Sequence, residues 1–190
     1  MFDKILVTFV GIPGSGKTTF ARNLARELDA TVLASDSIRL SMWGTLENIQ
    51  KTHTDPLERK NANKLVFGAM NYSAKQILDA GYSVIYDCNA NHVWERNEKH
   101  DIAHETDALS VVVRIKVPYE LSLERLQQRE ATHDARQFTR EKAIEVLERF
   151  TNEIEEPTAD ENVIAIDGSI SFDEQYKSFQ SQLSVIKQRV

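Results

Sequence analysis

Residues 11–18 read Gly-Ile-Pro-Gly-Ser-Gly-Lys-Thr, with Thr19 next, and satisfy the spacing G-x-x-x-x-G-K-[ST]. Such a stretch leaves little choice of fold. Glycines let consecutive backbone N–H groups turn inward and form a concave nest of donors that a phosphate can enter closely. Gly11, Pro13, Gly14, Ser15, Gly16, Lys17, Thr18 and Thr19 are therefore the predicted nucleotide-binding residues. Lys17 would reach the outer phosphates as a mobile cation, and the Thr18 hydroxyl would ligate Mg²⁺. The flanks agree: residues 4–10 (K-I-L-V-T-F-V) read as a buried strand, and residues 17–28 as a helix whose N-terminus points at the anion. A fortuitous glycine turn would not bring that strand and that helix with it. A nucleoside triphosphate, expected to be ATP, is the predicted ligand.

The other strands follow in alternation with helices. Residues 31–34 (T-V-L-A) form a short second strand, with Ser-Asp-Ser-Ile-Arg at 35–39 and a short helix over 37–43 ended near Gly44. Residues 46–55 are polar and weakly patterned and are expected to be a loop. Pro56 opens a long helix to about residue 80, with Leu57, Leu65, Ala69, Tyr72, Gln76 and Ile77 only roughly in phase, and Gly81 ends it. A third strand (82–87) finishes at Asp87, and a helix covers about 92–105. A fourth strand (108–117) is stopped by Pro118, and a charged helix spans 120–130. A helix over 139–155, a fifth strand over 162–167 and a closing helix over 172–188 complete the chain. This order predicts an α/β, three-layer fold with a five-stranded parallel sheet covered by helices on both faces. Ligands then sit at the carboxyl edge of the sheet. The phosphate loop, Asp36 and Asp87 each follow a strand, so all three are expected at that edge.

Composition narrows the class. A chain of 190 residues suits one domain, here 1–190. A net charge of −6 gives no global field for nucleic acid or an anionic membrane. One cysteine, Cys88, permits no internal disulfide. No apolar run approaches the roughly 20 residues that span a bilayer, and the early first strand leaves no room for a signal peptide. The expected compartment is the cytoplasm, with no membrane partner.

Asp36 is suited to accept the proton of an acceptor hydroxyl or to orient it for in-line attack on a γ-phosphate. Alternatively, Ser35 or Asp36 only caps the next helix. Arg39 lies one turn along the same face, placed either to clamp an anionic substrate bidentately or to form a surface ion pair. Asp87 is a candidate for holding Mg²⁺ with Thr18, the alternative being a turn-forming role ahead of Asn89. A third cluster is cationic: Arg125, Arg129, Arg136 and Arg140, on a lid at about 125–140. Arginines on a flap over the phosphates would neutralise charge in the transition state; a solvated helix is the plain alternative. His100 and His104 share a helix face but lack a third ligand. Cys88 is read as structural, and Trp43 and Trp94 as packing residues.

Four segments together carry a resemblance: G-I-P-G-S-G-K-T-T, S-D-S-I-R after strand 2, V-I-Y-D-C-N-A-N…E-R, and L-E-R-L-Q-Q-R-E. The chain resembles, to about Gly168, the P-loop kinases that include the phage polynucleotide 5′-kinase domain, the zeta toxins and chloramphenicol phosphotransferase. Some members of this group are described as AAA-domain ATPases. That resemblance implies that Lys17 and Thr18 hold phosphates and Mg²⁺, that Asp36 is the general base and that Arg39 contacts the acceptor. It also implies that Arg125 and Arg129 are lid arginines acting on the transferring phosphoryl, and that Asp87 is an acidic group near the metal or the acceptor. Within these 190 residues no phosphatase domain and no helical domain of AAA+ motors is expected, and no hydrophobic run ends in Asp-Glu.

The expected activity is ATP-dependent transfer of the γ-phosphoryl group to a hydroxyl. The acceptor is a small metabolite or nucleoside-type molecule, slightly favoured on charge, or a polynucleotide 5′-hydroxyl. A regulatory ATPase without an acceptor is the alternative. The absence of N-K-x-D and D-x-x-G argues against a Ras-like switch.

Overall fold

The structure is a computed structural model and describes residues 3–128 and 138–189. Five parallel strands form one sheet in the order β2-β3-β1-β4-β5. They are β1 (Ile5–Val10), β2 (Thr31–Ala34), β3 (Val84–Asn89), β4 (Leu109–Lys116) and β5 (Val163–Asp167). Central strands of a sheet covered on both faces cannot show polar alternation, and β1 is buried along its whole length. Its side chains still alternate between two cores. Ile5, Val7 and Phe9 join Phe20 and Leu24 of α1 (Lys17–Leu28) and Phe179 and Leu183 of α8 (Phe172–Arg189). Leu6 joins Val66, Met70 and Leu78 of α4 (Pro56–Asp79) and Ile102 of α5 (Val93–Glu105) on the other face. The expected three-layer α/β architecture is thus present.

Two local readings are corrected. The stretch taken as a loop contains α3 (Leu46–Lys51), started by Thr45, whose hydroxyl accepts from Asn48 N–H. A six-residue helix shows too little period to be seen in sequence, but its cap is readable. In α4, the expected apolar phase is also wrong. Ala62, Val66, Met70, Ala74 and Leu78 are buried, whereas Leu57, Leu65 and Tyr72 are exposed. The buried ridge runs at spacing four through small and flexible residues, so the largest apolar side chains did not mark the core face. Asp55 accepts from Leu57 and Glu58 N–H, and Pro56 follows it, which fixes where this helix begins.

Strand β3 begins and ends two residues later than expected, so Asp87 lies inside it, followed by Cys88 and Asn89. Next to it, α2 (Ser35–Trp43) starts directly from β2. Helices α6 (Tyr119–Gln128) and α7 (Arg140–Glu153) pack on each other through Leu123, Leu126, Ala143 and Leu147. Ile12 of the phosphate loop packs against that cluster. Among the described residues no helix is long and apolar enough to cross a membrane.

Candidate active site

The phosphate loop leaves β1 at Gly11 and enters α1 through Gly16. Gly14 and Gly16 hold φ of 81° and 97°, a region L side chains avoid, so glycine is required at both. Gly14 also lies against α6: a Cβ there would come 2.7 Å from Ser122 O. The N-cap of α1 is Gly16 and supplies no side-chain bond to the first-turn N–H groups, which leaves them for an anion. Lys17 Nζ donates to Gly11 O and Ile12 O, both at 2.8 Å. Burial of this ammonium pulls its pKa down to about 7, offset in part by the Asp87 charge and reinforced by Arg114.

Thr18 Oγ1 donates to Asp87 Oδ1 at 2.9 Å. Burial raises the Asp87 pKa, while the Thr18 bond and the charges of Arg22 and Lys17 lower it and Asp36 raises it. All these groups are therefore within electrostatic reach of one carboxylate. The register explains why: Ala34, which leads into α2, pairs with Asp87, and Asp36 follows two residues later. Neither Ser35 nor Asp36 caps α2, whose N-cap is Ala34 and carries no side-chain cap bond. Asp36 is instead a 74% exposed side chain at the first turn, 3.4 Å from Arg39 Nη1. The Arg39 side chain is only 13% exposed. Its Nη2 donates to Asn63 Oδ1 at 3.0 Å, and its guanidinium lies 5.6 Å from the Phe67 ring centroid. Its buried Nε has no hydrogen-bond partner. The plain surface ion pair is thus not the whole account of Arg39.

Among the described residues no three metal-ligating side chains gather. Thr18 and Asp87 nevertheless offer one hydroxyl and one carboxylate at the mouth of the loop. That donor set suits Mg²⁺, which is held by one or two carboxylates together with phosphate oxygens and water. Cys88 is part-buried against the core, and desolvation pushes its thiol up to about 12, so it is no nucleophile at neutral pH.

Arg125 Nη1 donates to Gly14 O at 3.3 Å, which brings α6 to the loop. Arg129 and Arg136, expected in the lid, lie outside the described residues. Pro13 is half-buried in the loop, and Thr19 is exposed on α1. Three residues at this edge were not singled out in the sequence. Asn91 Oδ1 accepts from Gly11 N–H at 3.1 Å. Asn63 holds Arg39. Gly168, after β5, has room for no Cβ, because Ser15 O and Ile115 Cγ2 press on it. An Asn cluster at 89–91 and a glycine after a strand were the readable signals. Trp43 is part-buried against the core beside α4, but Trp94 is 64% exposed and stacked on His92, contrary to the packing role expected for it.

The AAA_33 family model, described as an AAA domain, matches residues 6–156. The chain belongs to the AAA_33 family. An L-seryl-tRNA(Sec) kinase of Methanococcus maripaludis is 26% identical over 126 residues, which are 64% of this chain and 44% of that protein. The chain therefore spans less than half the length of that relative. A sugar kinase from Janibacter sp. HTCC2649 superposes with a TM-score of 0.67 at 19% identity, covering 95% of each chain. The Mycobacterium tuberculosis APS kinase CysC, solved with AMPPNP and APS, superposes with a TM-score of 0.61 at 17% identity, covering 97% and 99%. This AAA_33 chain thus shares its fold with those two solved kinases over nearly its whole length.

Proposed function

We propose that this AAA_33 chain is an ATP-dependent kinase that transfers the γ-phosphoryl group to a hydroxyl. The observation that carries this reading is the convergence of Lys17, Thr18, Asp87, Asp36 and Arg39 on one edge, with Asp36 exposed and not used as a helix cap. The loop amides and Lys17 bind the triphosphate, Lys17 exchanging Gly11 O and Ile12 O for phosphate oxygens. Thr18 and Asp87 would hold a Mg²⁺ ion, which when bound would supply neutralisation of the phosphate charge. The acceptor oxygen attacks the γ-phosphorus in line, the bond from phosphorus to the β,γ-bridging oxygen breaks, and ADP leaves. Asp36 takes the acceptor's proton. Arg39 orients the acceptor, and Arg125, with Arg129 and Arg136, stabilises the charge that develops on the transferring group.

The reading predicts labelled product when [γ-³²P]ATP is offered with nucleosides, sugars, sugar acids, seryl-tRNA and 5′-hydroxyl oligonucleotides. Seryl-tRNA joins the screen because one relative is named for it, while the net charge of −6 favours a small acceptor. Hydrolysis to ADP without any labelled acceptor would select a regulatory ATPase instead.

A further inference from the structure

We infer that Asn91 is a positioning residue for the phosphate loop, held in place by the acidic segment 155–161 that follows α7; the inference rests on the phosphate-binding reading of that loop. Beyond Val10, β1 has no ladder partner on its β3 side, since the β1–β3 register slips between Val7 and Phe9. The β3–α5 turn fills in: Ala90 N–H donates to Phe9 O at 2.8 Å, and Asn91 Oδ1 accepts from Gly11 N–H at 3.1 Å. An N–H donor demands the oxygen of the amide, so the orientation of Asn91 is fixed by Gly11. Its Nδ2 has no partner, although the residue is only 3% exposed. The side chain caps no helix either, because the N-cap of α5 is His92. Among the described residues the side chain's hydrogen bond is to the first residue of the phosphate loop, and that residue's carbonyl in turn holds Lys17 Nζ.

Asn91 is itself gripped from behind. Its carbonyl accepts from Glu155 N–H at 2.9 Å and from Arg96 Nη1 at 3.0 Å. Arg96, 2% exposed, also donates to Ala90 O and pairs with Glu161 through Nε and Nη2. The Glu155 carboxylate accepts from Val93 N–H and faces His92 Nδ1. A third carboxylate of the segment, Glu156, pairs with Arg114 of β4. Meanwhile Ile12, the next loop residue, rests on the cluster formed by α6 and α7. The loop is thus set from two sides, through Gly11 by the turn and through Ile12 by the helix pair.

The test uses the full chain at a temperature where every variant is folded, with MgATP affinity and amide exchange of Gly11 as readouts. Asn91→Ala should weaken MgATP binding about tenfold and speed Gly11 exchange by at least about tenfold, with the rest of β1 still protected. Asn91→Asp keeps an oxygen for Gly11 N–H and should restore its protection, whereas Asn91→Leu should not. Glu155→Ala keeps the backbone N–H that Asn91 O accepts but removes the carboxylate that ties the segment to Val93 N–H and His92. It should weaken MgATP binding about threefold, and it carries the test if Asn91→Ala does not fold. Unchanged affinity and unchanged Gly11 exchange, or a lower melting temperature alone, would overturn the inference. Failure of the wild-type chain to bind MgATP would instead sink the nucleotide reading itself.

Discussion

Thr18 and Asp87, 69 residues apart in sequence, are joined by a 2.9 Å hydrogen bond between the first turn of α1 and the C-terminal half of β3. A hydroxyl and a carboxylate in that position make a ready pair of hard oxygen donors beside a nest of amides. Removing the carboxylate charge with Asp87→Asn should raise the Mg²⁺ concentration needed for half-maximal turnover and cost on the order of 10- to 100-fold in kcat/KM for ATP. A Mg²⁺ titration of wild type and variant checks it. An identical Mg²⁺ requirement would remove Asp87 from the metal site.

Asp36 gives the sharpest test of phosphotransfer. Asp36→Asn keeps shape and exposure but loses the basic oxygen, so kcat should fall by roughly 10²- to 10⁴-fold while the Kd for ATP stays within about twofold. Nucleotide binding is followed by calorimetry and transfer by radiolabel. Unchanged turnover would rule out Asp36 as the base.

The proton on Lys17 couples nucleotide binding to pH. An ordinary lysine holds its proton to 10.5, but burial brings Lys17 to about 7 in the folded chain. Between those values the unfolded chain binds more protons, so this group makes stability rise with pH across the window 7 to 10.5. A triphosphate beside the ammonium restores the charge. Binding at pH 8 should therefore take up about 0.9 proton, and MgATP affinity should fall as pH climbs above 7. Calorimetry in buffers of different ionisation enthalpy reads the proton directly; flat affinity from pH 7 to 9 would count against it.

Two glycines should respond in opposite directions to the same methyl group. At Gly168 a Cβ collides with Ser15 O, so Gly168→Ala should destabilise by about 1–3 kcal/mol and weaken ATP binding by shifting the loop. At Gly68, inside α4, a Cβ meets nothing within 4 Å. Gly68→Ala should stabilise the fold by about 0.5–1 kcal/mol through helix propensity and unfolded-state entropy. Urea denaturation of both variants gives the two signs.

The buried ion pair between Arg96 and Glu161 has side chains only 1% and 14% exposed. Glu161→Ala leaves the guanidinium uncompensated and should cost about 3–5 kcal/mol. Urea denaturation measures the loss. A cost below about 1 kcal/mol would mean that water reaches Arg96 when its partner is gone.

The phosphate loop, the strand before it and the helix after it were legible in sequence because they depend on near neighbours: glycine φ, a β-branched run, a helix start. The alternation of strands and helices was legible for the same reason, and it placed Asp36 and Asp87 at one edge. What the sequence could not give was which face of α4 is buried. Leu57, Leu65 and Tyr72 point to solvent while Ala62 and Ala74 fill the core, a choice made by the volume left between α4 and the sheet. The i,i+3 pairing of Arg39 with Asp36 was legible, but not Asn91 as the partner of Gly11 or Asn63 as the second partner of Arg39, because these reach them only after the chain has crossed the sheet. Local chemistry wrote the cradle into the sequence; long-range packing alone decided which side chains hold it steady.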